Sequence, residues 1–451
     1  MGNELFEKAP IHTAYLKLAI PVVLSMVVTL IYNMVDTYFI ALTNNTALIA
    51  GVSICAPLFT LFLAFGDIFA LGGSSVISRL LGAHKNEEAK QLSVFCHYAA
   101  VAFSLIVTVV MLFLAHPILR FLGADSTTLL YAGQYYHYIV LGCTFIIFSL
   151  VPTNLMRTVG HPNASMIAQI LGAVVNMVLD PVFIFTLHMG AAGAAIATII
   201  GYMFSTAFSL WFIITKCEGL SVLPKDYGIS RTGLFMVFSI GLPASVTNFM
   251  QTIGMTLTNR SLSLYGSDSI AVMGIVLKIV NIVMLVIIGL AFGGQPLIGY
   301  VFGAENRTRL RHVIAFAYRI VGGVATVLAI LVALFSDPLI HVFLQDPELI
   351  AEGRLMLRLQ MPSMLMMGLG LVTICTFQAM GKGLPALIMS LCRQGVVFAV
   401  VLSILSHLFG YMGILTSQLA ADLVTTVIAA GLFLRYIKPE LRMSTPQVLN
   451  N

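Results

Sequence analysis

Charge is what this chain has least of. Asp, Glu, Lys and Arg make up 9% of the 451 residues, against about 25% in soluble domains. Apolar residues make up 59%, and the mean hydropathy is +0.99. A water-soluble domain with a polar shell is therefore excluded, and the expected fold class is an all-α polytopic membrane protein. Cysteine is also sparse. The six cysteines (Cys55, Cys96, Cys143, Cys217, Cys375, Cys392) lie mostly in apolar runs with no CxxC spacing, which argues against disulfides and a resident metal and for small packing residues. Enzyme signatures are missing too: there is no GxxxxGK[ST], no HExxH, no GxSxG and no polar stretch long enough for a nucleotide-hydrolysing domain. The chain is expected not to be an enzyme, to need no cofactor and to draw on an ion gradient rather than ATP. Residues 1–10 lack the apolar core and cleavage site of a signal peptide, so the first apolar helix is expected to remain in the mature protein. The net charge of +5 gives no sign of nucleic-acid binding, because the basic residues sit in short loops.

What is present is a series of membrane-length apolar runs. A window of about 20 residues predicts twelve spans near 14–41, 49–82, 93–116, 128–154, 164–186, 191–215, 236–264, 270–302, 313–336, 350–378, 385–408 and 411–436. Lys85, Lys90, Arg157, Lys216, Lys225, Arg231, Arg307, Arg309, Arg311, Lys382, Arg435, Lys438 and Arg442 fall on one side of this arrangement. By the positive-inside rule that side is cytoplasmic, and so are both termini. Arg120 is the main exception, and Arg354 and Arg358 fit the scheme poorly.

The spans divide six and six at the most polar segment, CEGLSVLPKDYGISRT (Cys217–Thr232). The expected organisation is an N-lobe over 1–215, a cytoplasmic linker over 216–232, and a C-lobe with a cytoplasmic tail over 233–451. The halves also repeat: Gly72-Gly73 and Gly293-Gly294, Gly82-Ala83 and Gly303-Ala304, Pro117 and Pro338, and Gly160 and Gly381 all share an offset of 221 residues. A single offset across so many landmarks predicts two pseudo-symmetric six-helix lobes, with a substrate cavity between them near the midplane.

An acid inside an apolar helix costs several kcal/mol to insert, roughly 2.5–3.5 on translocon scales, which makes it a functional candidate. Asp36 is such an acid, on the first span. Asn33 precedes it by three residues, and Asn176 precedes Asp180 by four on the fifth span, so each pair shares a helix face. With Thr198 on the sixth span these oxygens suit a proton or a small hard cation. Pro181 and Pro21 each remove a backbone donor and permit bending beside the acids. By the repeat offset Asp36 and Asp180 correspond to Leu257 and Val401, so the acid chemistry is confined to the first lobe. Lys278, Arg393 and Asp422 are expected to form a structural set, with Asp422 pairing with Lys278 or Arg393. Asp67 is open between a role in gating and one in packing. Tyr32, Tyr138, Met364 and Gln251 are candidate cavity-lining residues, suited by aromatic face, soft thioether and amide to varied organic cations.

These residues lie in segments that together resemble the multidrug and toxic compound extrusion (MATE) family: Ile31-Tyr32-Asn33-Met34-Val35-Asp36-Thr37, Gly72 to Ala83 (GGSSVISRLLGA), Arg157 to Pro162 (RTVGHP), and Asn176-Met177-Val178-Leu179-Asp180-Pro181 followed by Gly190 to Thr198 (GAAGAAIAT). The resemblance runs from about residue 14 to 436. It implies two six-helix lobes, alternating access, and a secondary antiporter of the bacterial cytoplasmic membrane that exports amphipathic, mostly cationic compounds in exchange for inward H+ or Na+ and contributes to antibiotic resistance. It also implies a cation site at Asp36, Asn176, Asp180 and Thr198. The sequence departs from relatives with an acidic C-lobe site. The partners expected are small organic substrates and lipid, with a single chain as the working unit. The alternative is a flippase for a lipid-linked or amphiphilic substrate, which would call for basic rather than acidic groups in the cavity.

Overall fold

The structure, a computed structural model, describes residues 2–228 and 231–442. Residues 229–230 of the expected linker and 443–451 of the expected tail lie outside the described residues. Helix dominates because lipid offers backbone N–H and C=O groups no partner, so each apolar run must satisfy its own.

The main helices are α1 (Ile11–Ala41), α2 (Ala56–Gly82), α3 (Asn86–Phe113), α4 (Leu129–Leu141), α5 (Cys143–Thr158), α6 (Pro162–Pro181), α7 (Gly190–Lys216), α8 (Arg231–Leu262), α9 (Ser267–Gly293), α10 (Arg307–Leu334), α11 (Pro347–Ala379), α12 (Gly383–Leu391) and α13 (Val397–Leu432). Their ends follow local chemistry. Pro162 and Pro347 open α6 and α11, where the missing N–H costs nothing, and the Asn306 and Asp346 side chains accept from Arg309 N (2.9 Å) and Glu348 N (2.9 Å).

Among the described residues, ten helices are long and apolar enough to cross a membrane, and eleven when α4 and α5, bent by 45°, are taken as one span. The bend falls at Gly142, where a Cβ would lie 2.2 Å from Ile199 Cγ1. The last of the ten, Gly383–Arg442, holds 60 residues, about 90 Å if straight and far more than one bilayer. It reverses at Gly410, whose φ of 57° and ψ of −129° break the helix. A Cβ on Gly413 would sit 1.8 Å from Leu405 O, which only a hairpin allows. Counted as two spans, that hairpin completes the expected twelve.

The chain forms two compact units: residues 1–5 with 24–245, and 6–23 with 246–451. This division exchanges two segments relative to the boundaries expected at 215 and 233. The start of α1 packs within the second unit, where Gly293 on α9 meets it so closely that a Cβ would lie 2.4 Å from Ala19 Cα. The start of α8 packs within the first unit, where a Cβ on Gly72 of α2 would lie 2.4 Å from Val237 O. Gly72 and Gly293 are separated by the repeat offset, so the two exchanges are the same structural event in each half. Both crossings follow a proline inside a helix: Pro21 precedes Leu24 and Pro243 precedes Val246. The linker also belongs to the first unit, with Ser93 Oγ on α3 donating to Ser221 O (2.8 Å) and Ser221 Oγ to Asp226 (2.6 Å).

Candidate functional site

In the first unit α6 and α7 approach through glycine. A Cβ on Gly201 would lie 2.6 Å from Gly172 O, and one on Gly172 2.8 Å from Gly201 O. Small residues at such a contact let helix backbones touch in a membrane, where close packing replaces the hydrophobic drive. The contact fixes what lies next along the two helices: Asn176, one turn beyond Gly172, and Thr198, one turn before Gly201. Asn176 Nδ2 donates to Asp180 Oδ1 (3.3 Å) and to Thr198 Oγ1 (3.4 Å), and the Thr198 hydroxyl donates to Ala194 O (3.0 Å). Asp180, Asn176 and Thr198 are buried.

Pro181 follows directly, and there the helix relaxes into a π-turn over Val182–Thr186, with Leu187 N donating to Val182 O at 2.9 Å. Such π-turns are frequent beside functional groups.

From α1, Asp36 stands beside Asp180, so the two carboxyl groups are side-chain neighbours. Ionised carboxylates only accept, so a direct bond between these two would require a proton. Asp36 Oδ1, Asn176 Oδ1 and Asp180 Oδ2 are buried and have no donor. Five oxygen-bearing groups would have been a fuller cage; the structure supplies four, because Asn33 is exposed. Three residues turn a helix by 300°, which places Asn33 about 60° to one side of Asp36. The buried face instead carries Tyr32, one turn before the acid. Asp36 itself is half-buried.

Tyr32 and Tyr135 are electrostatic neighbours of the two acids, and Tyr202 is a neighbour of both tyrosines. Tyr202 was not anticipated from sequence. The available signal is its position four residues after Thr198, on the same face of α7. Tyr138, expected in the cavity, is 39% exposed on α4, and Tyr135, three residues earlier, is the one beside the acids. Asp67 has Arg157 as an electrostatic partner.

The other candidates lie in the second unit. Arg393 Nε stands 3.9 Å from Asp422 Oδ1, whereas Lys278 is exposed on α9. Gln251 and Met364 line a cavity of about 140 Å³ that also receives Arg393 and Asp422. Among the described residues no group of three or more His, Cys, Asp or Glu is placed to hold a metal ion.

Comparison with known proteins gives a consistent result. The MatE family model matches residues 21–182 and 243–426, so its two segments begin at the prolines after which the chain changes unit. Multidrug export protein MepA of Staphylococcus haemolyticus (strain JCSC1435) is 31% identical over 424 residues, covering 94% of this chain and 93% of that protein. MepA of Staphylococcus aureus (strain MRSA252) is 30% identical over 444 residues, 98% of each. A solved structure described as the outward-facing conformation of a multidrug resistance MATE family transporter of the MOP superfamily superposes with a TM-score of 0.91 at 23% identity, over 98% of this chain and 99% of that one. That last likeness is one of fold.

Proposed function

The chain belongs to the multidrug and toxic compound extrusion (MatE) family, and from that premise we propose that it exports amphipathic, mostly cationic compounds across the bacterial cell membrane in exchange for protons held between Asp36 and Asp180. The observation that carries this reading is the approach of two carboxyls, Asp36 on α1 and Asp180 on α6, with three buried oxygens of Asp36, Asn176 and Asp180 that lack donors. A shared proton would bond the two carboxyls, and a small hard cation such as Na+ would draw on the same oxygens.

The coupling follows from which helices the acids join. Asp180 is fixed by Asn176 and by the glycine contact of α6 with α7, so α6 is the static partner. Pro21 lies inside α1 and removes a backbone donor there, and the part of α1 beyond it meets α6 through Asp36. With both carboxyls ionised the bond is lost and like charges repel, so the proton biases α1 between two positions. Exchange requires that proton and drug favour different positions, since a ligand bound equally by both shifts nothing. Tyr32, Tyr135 and Tyr202 supply aromatic faces for an organic cation beside the acids. The acidic sign of the site suits a cation and is wrong for the anionic headgroup a flippase would take. On this reading both termini are cytoplasmic, with the basic loops, and one chain is the working unit.

Ethidium efflux from proteoliposomes, with proton and Na+ gradients imposed separately, tests the reading. The expected result is efflux under the proton gradient. Efflux that follows only Na+ would transfer the site to that ion, and efflux that needs neither gradient would overturn antiport.

A further inference from the structure

The second unit holds a polar cavity that the coupling site does not use. It measures about 140 Å³ and is lined by Gln251, Asn281, Gln360, Gln418, Arg393 and Asp422, with methionines between them, Met364 included. At roughly 30 Å³ per water it has room for about five waters, and it is smaller than the roughly 300–1,000 Å³ of a whole drug site.

The repeat shows that this cavity is no requirement of the fold. Arg393 and Asp422 stand one repeat offset, 221 residues, after Gly172 and Gly201, the glycines whose backbones touch in the first unit. Where that half closes two helices on each other, this half inserts an arginine and an aspartate and leaves space beside them. A buried ion pair is weak evidence for stability, because apolar replacements are often neutral or stabilising. Charges kept inside a membrane bundle point to function.

The geometry leaves the arginine unspent. Asp422 Oδ2 accepts from the Ser363 hydroxyl and from Gln418 Nε2 (3.1 Å). Arg393 Nε lies 3.9 Å from Asp422 Oδ1, beyond hydrogen-bond reach, and is buried without an acceptor, in a side chain only 9% exposed. The backbone is shaped to present it: Cys392–Val396 is a π-turn, and Gly395 within it has φ −106° and ψ −107°. A Cβ on Gly395 would meet Met250 Sδ at 2.5 Å.

We propose that this cavity binds the carboxylate of zwitterionic amphiphilic substrates, with Arg393 as its anchor, Asp422 facing the ligand's cationic part, and the glutamines and Met364 adapting around the attached atoms. A guanidinium presents N–H donors in a planar fork that matches a carboxylate, which a lysine cannot reproduce. Unbranched methionines fit ligands of differing outline. The inference deepens the export function proposed above and rests on it for the route the substrate takes. It assigns the anionic end of substrates that carry both charges to the second unit.

The test uses the full chain, purified, and a matched pair of dyes: rhodamine B, which carries a free carboxylate, and its ethyl ester, which does not. Binding is read by fluorescence anisotropy for the wild type, Arg393→Gln and Arg393→Lys. Arg393→Gln should weaken rhodamine B about tenfold or more, as loss of a charged hydrogen-bond donor predicts, and leave the ester within about twofold. Arg393→Lys, which keeps the charge beside Asp422 and so protects folding, should weaken rhodamine B by a smaller factor and spare the ester. Equal loss of both dyes, or loss of neither, overturns the proposal. Efflux of the ester under an imposed proton gradient, run on the same preparations, tests antiport separately, and its absence would strike that reading while the binding contrast still decides this one.

Discussion

Replacing Gly201 by alanine perturbs the contact on which the first-unit site is built. The added Cβ would lie 2.6 Å from Gly172 O and 3.1 Å from Asn176 Cβ. Ordinary contact begins near 3.4 Å, so α7 must move from α6 by about 0.8 Å. The obstacle is a backbone carbonyl, which cannot rotate aside as a side chain can. Two effects compete. Alanine is favoured over glycine inside a helix by about 0.5–1 kcal/mol, whereas overpacking a close contact costs about 1–3 kcal/mol. With the obstacle a fixed carbonyl the clash wins, and the two ranges bound the net loss at about 2.5 kcal/mol. The shift also reaches the site: the Asn176–Thr198 bond, 3.4 Å long, has no slack and opens. Thermal unfolding in detergent should show Gly201→Ala below the wild type, and proton-driven efflux should fall with it. Gly323→Ala on α10 is the control, since nothing lies within 4 Å of its Cβ, and it should match or exceed the wild type. A Gly201→Ala protein as stable and as active as that control would refute the glycine-contact argument.

Other expectations follow from groups outside the bundle interiors. Asp125 Oδ1 accepts from the N–H and hydroxyl of both Thr127 and Thr128, and these four bonds hold its carboxyl well below the usual carboxylate range. A depressed folded value means that its contribution is present above the unfolded pKa, near 3.9, and is lost only as pH falls through the folded one. Limited proteolysis of the 123–128 loop should therefore stay unchanged down to that acid range, and Asp125→Asn should be cut faster at neutral pH. The helix Lys438–Arg442 is tied back through Glu440, which meets Lys382 at 2.8 Å and Arg307 at 3.6 Å. Glu440→Gln should cost about 1 kcal/mol or less, as partly exposed pairs do, and hydrogen exchange across 438–442 should rise.

Much of the bundle could be read before the structure, because lipid simplifies the rules. Apolar length sets the spans, and the offset of 221 residues exposes the duplication. The hairpin at Gly410, inside α13, falls in the gap between the spans expected at 385–408 and 411–436. Asp36 and Asp180 stood out because an acid in a membrane helix has few reasons to be there. What escaped depended on a few degrees of helix rotation or on which neighbour a segment packs against. Asn33 lies one position round from Asp36 and is exposed, while Tyr32 takes the buried face. Lys278 and Arg393 are equal candidates for Asp422 in the sequence, and the structure places Arg393 beside it and leaves Lys278 exposed. Nothing in the local pattern of 6–23 or 216–245 indicates that each packs with the unit opposite to the one its place in the sequence suggests. That outcome is decided by tertiary contacts at Gly293 and Gly72.

The central claim, that Asp36 and Asp180 hold the exchanged proton, is tested most directly by adding ethidium to the purified chain in weakly buffered detergent and following pH with an indicator dye. The account predicts proton release on binding by the wild type, lost in both Asp36→Asn and Asp180→Asn while each variant stays folded. Undiminished release from either variant would contradict it.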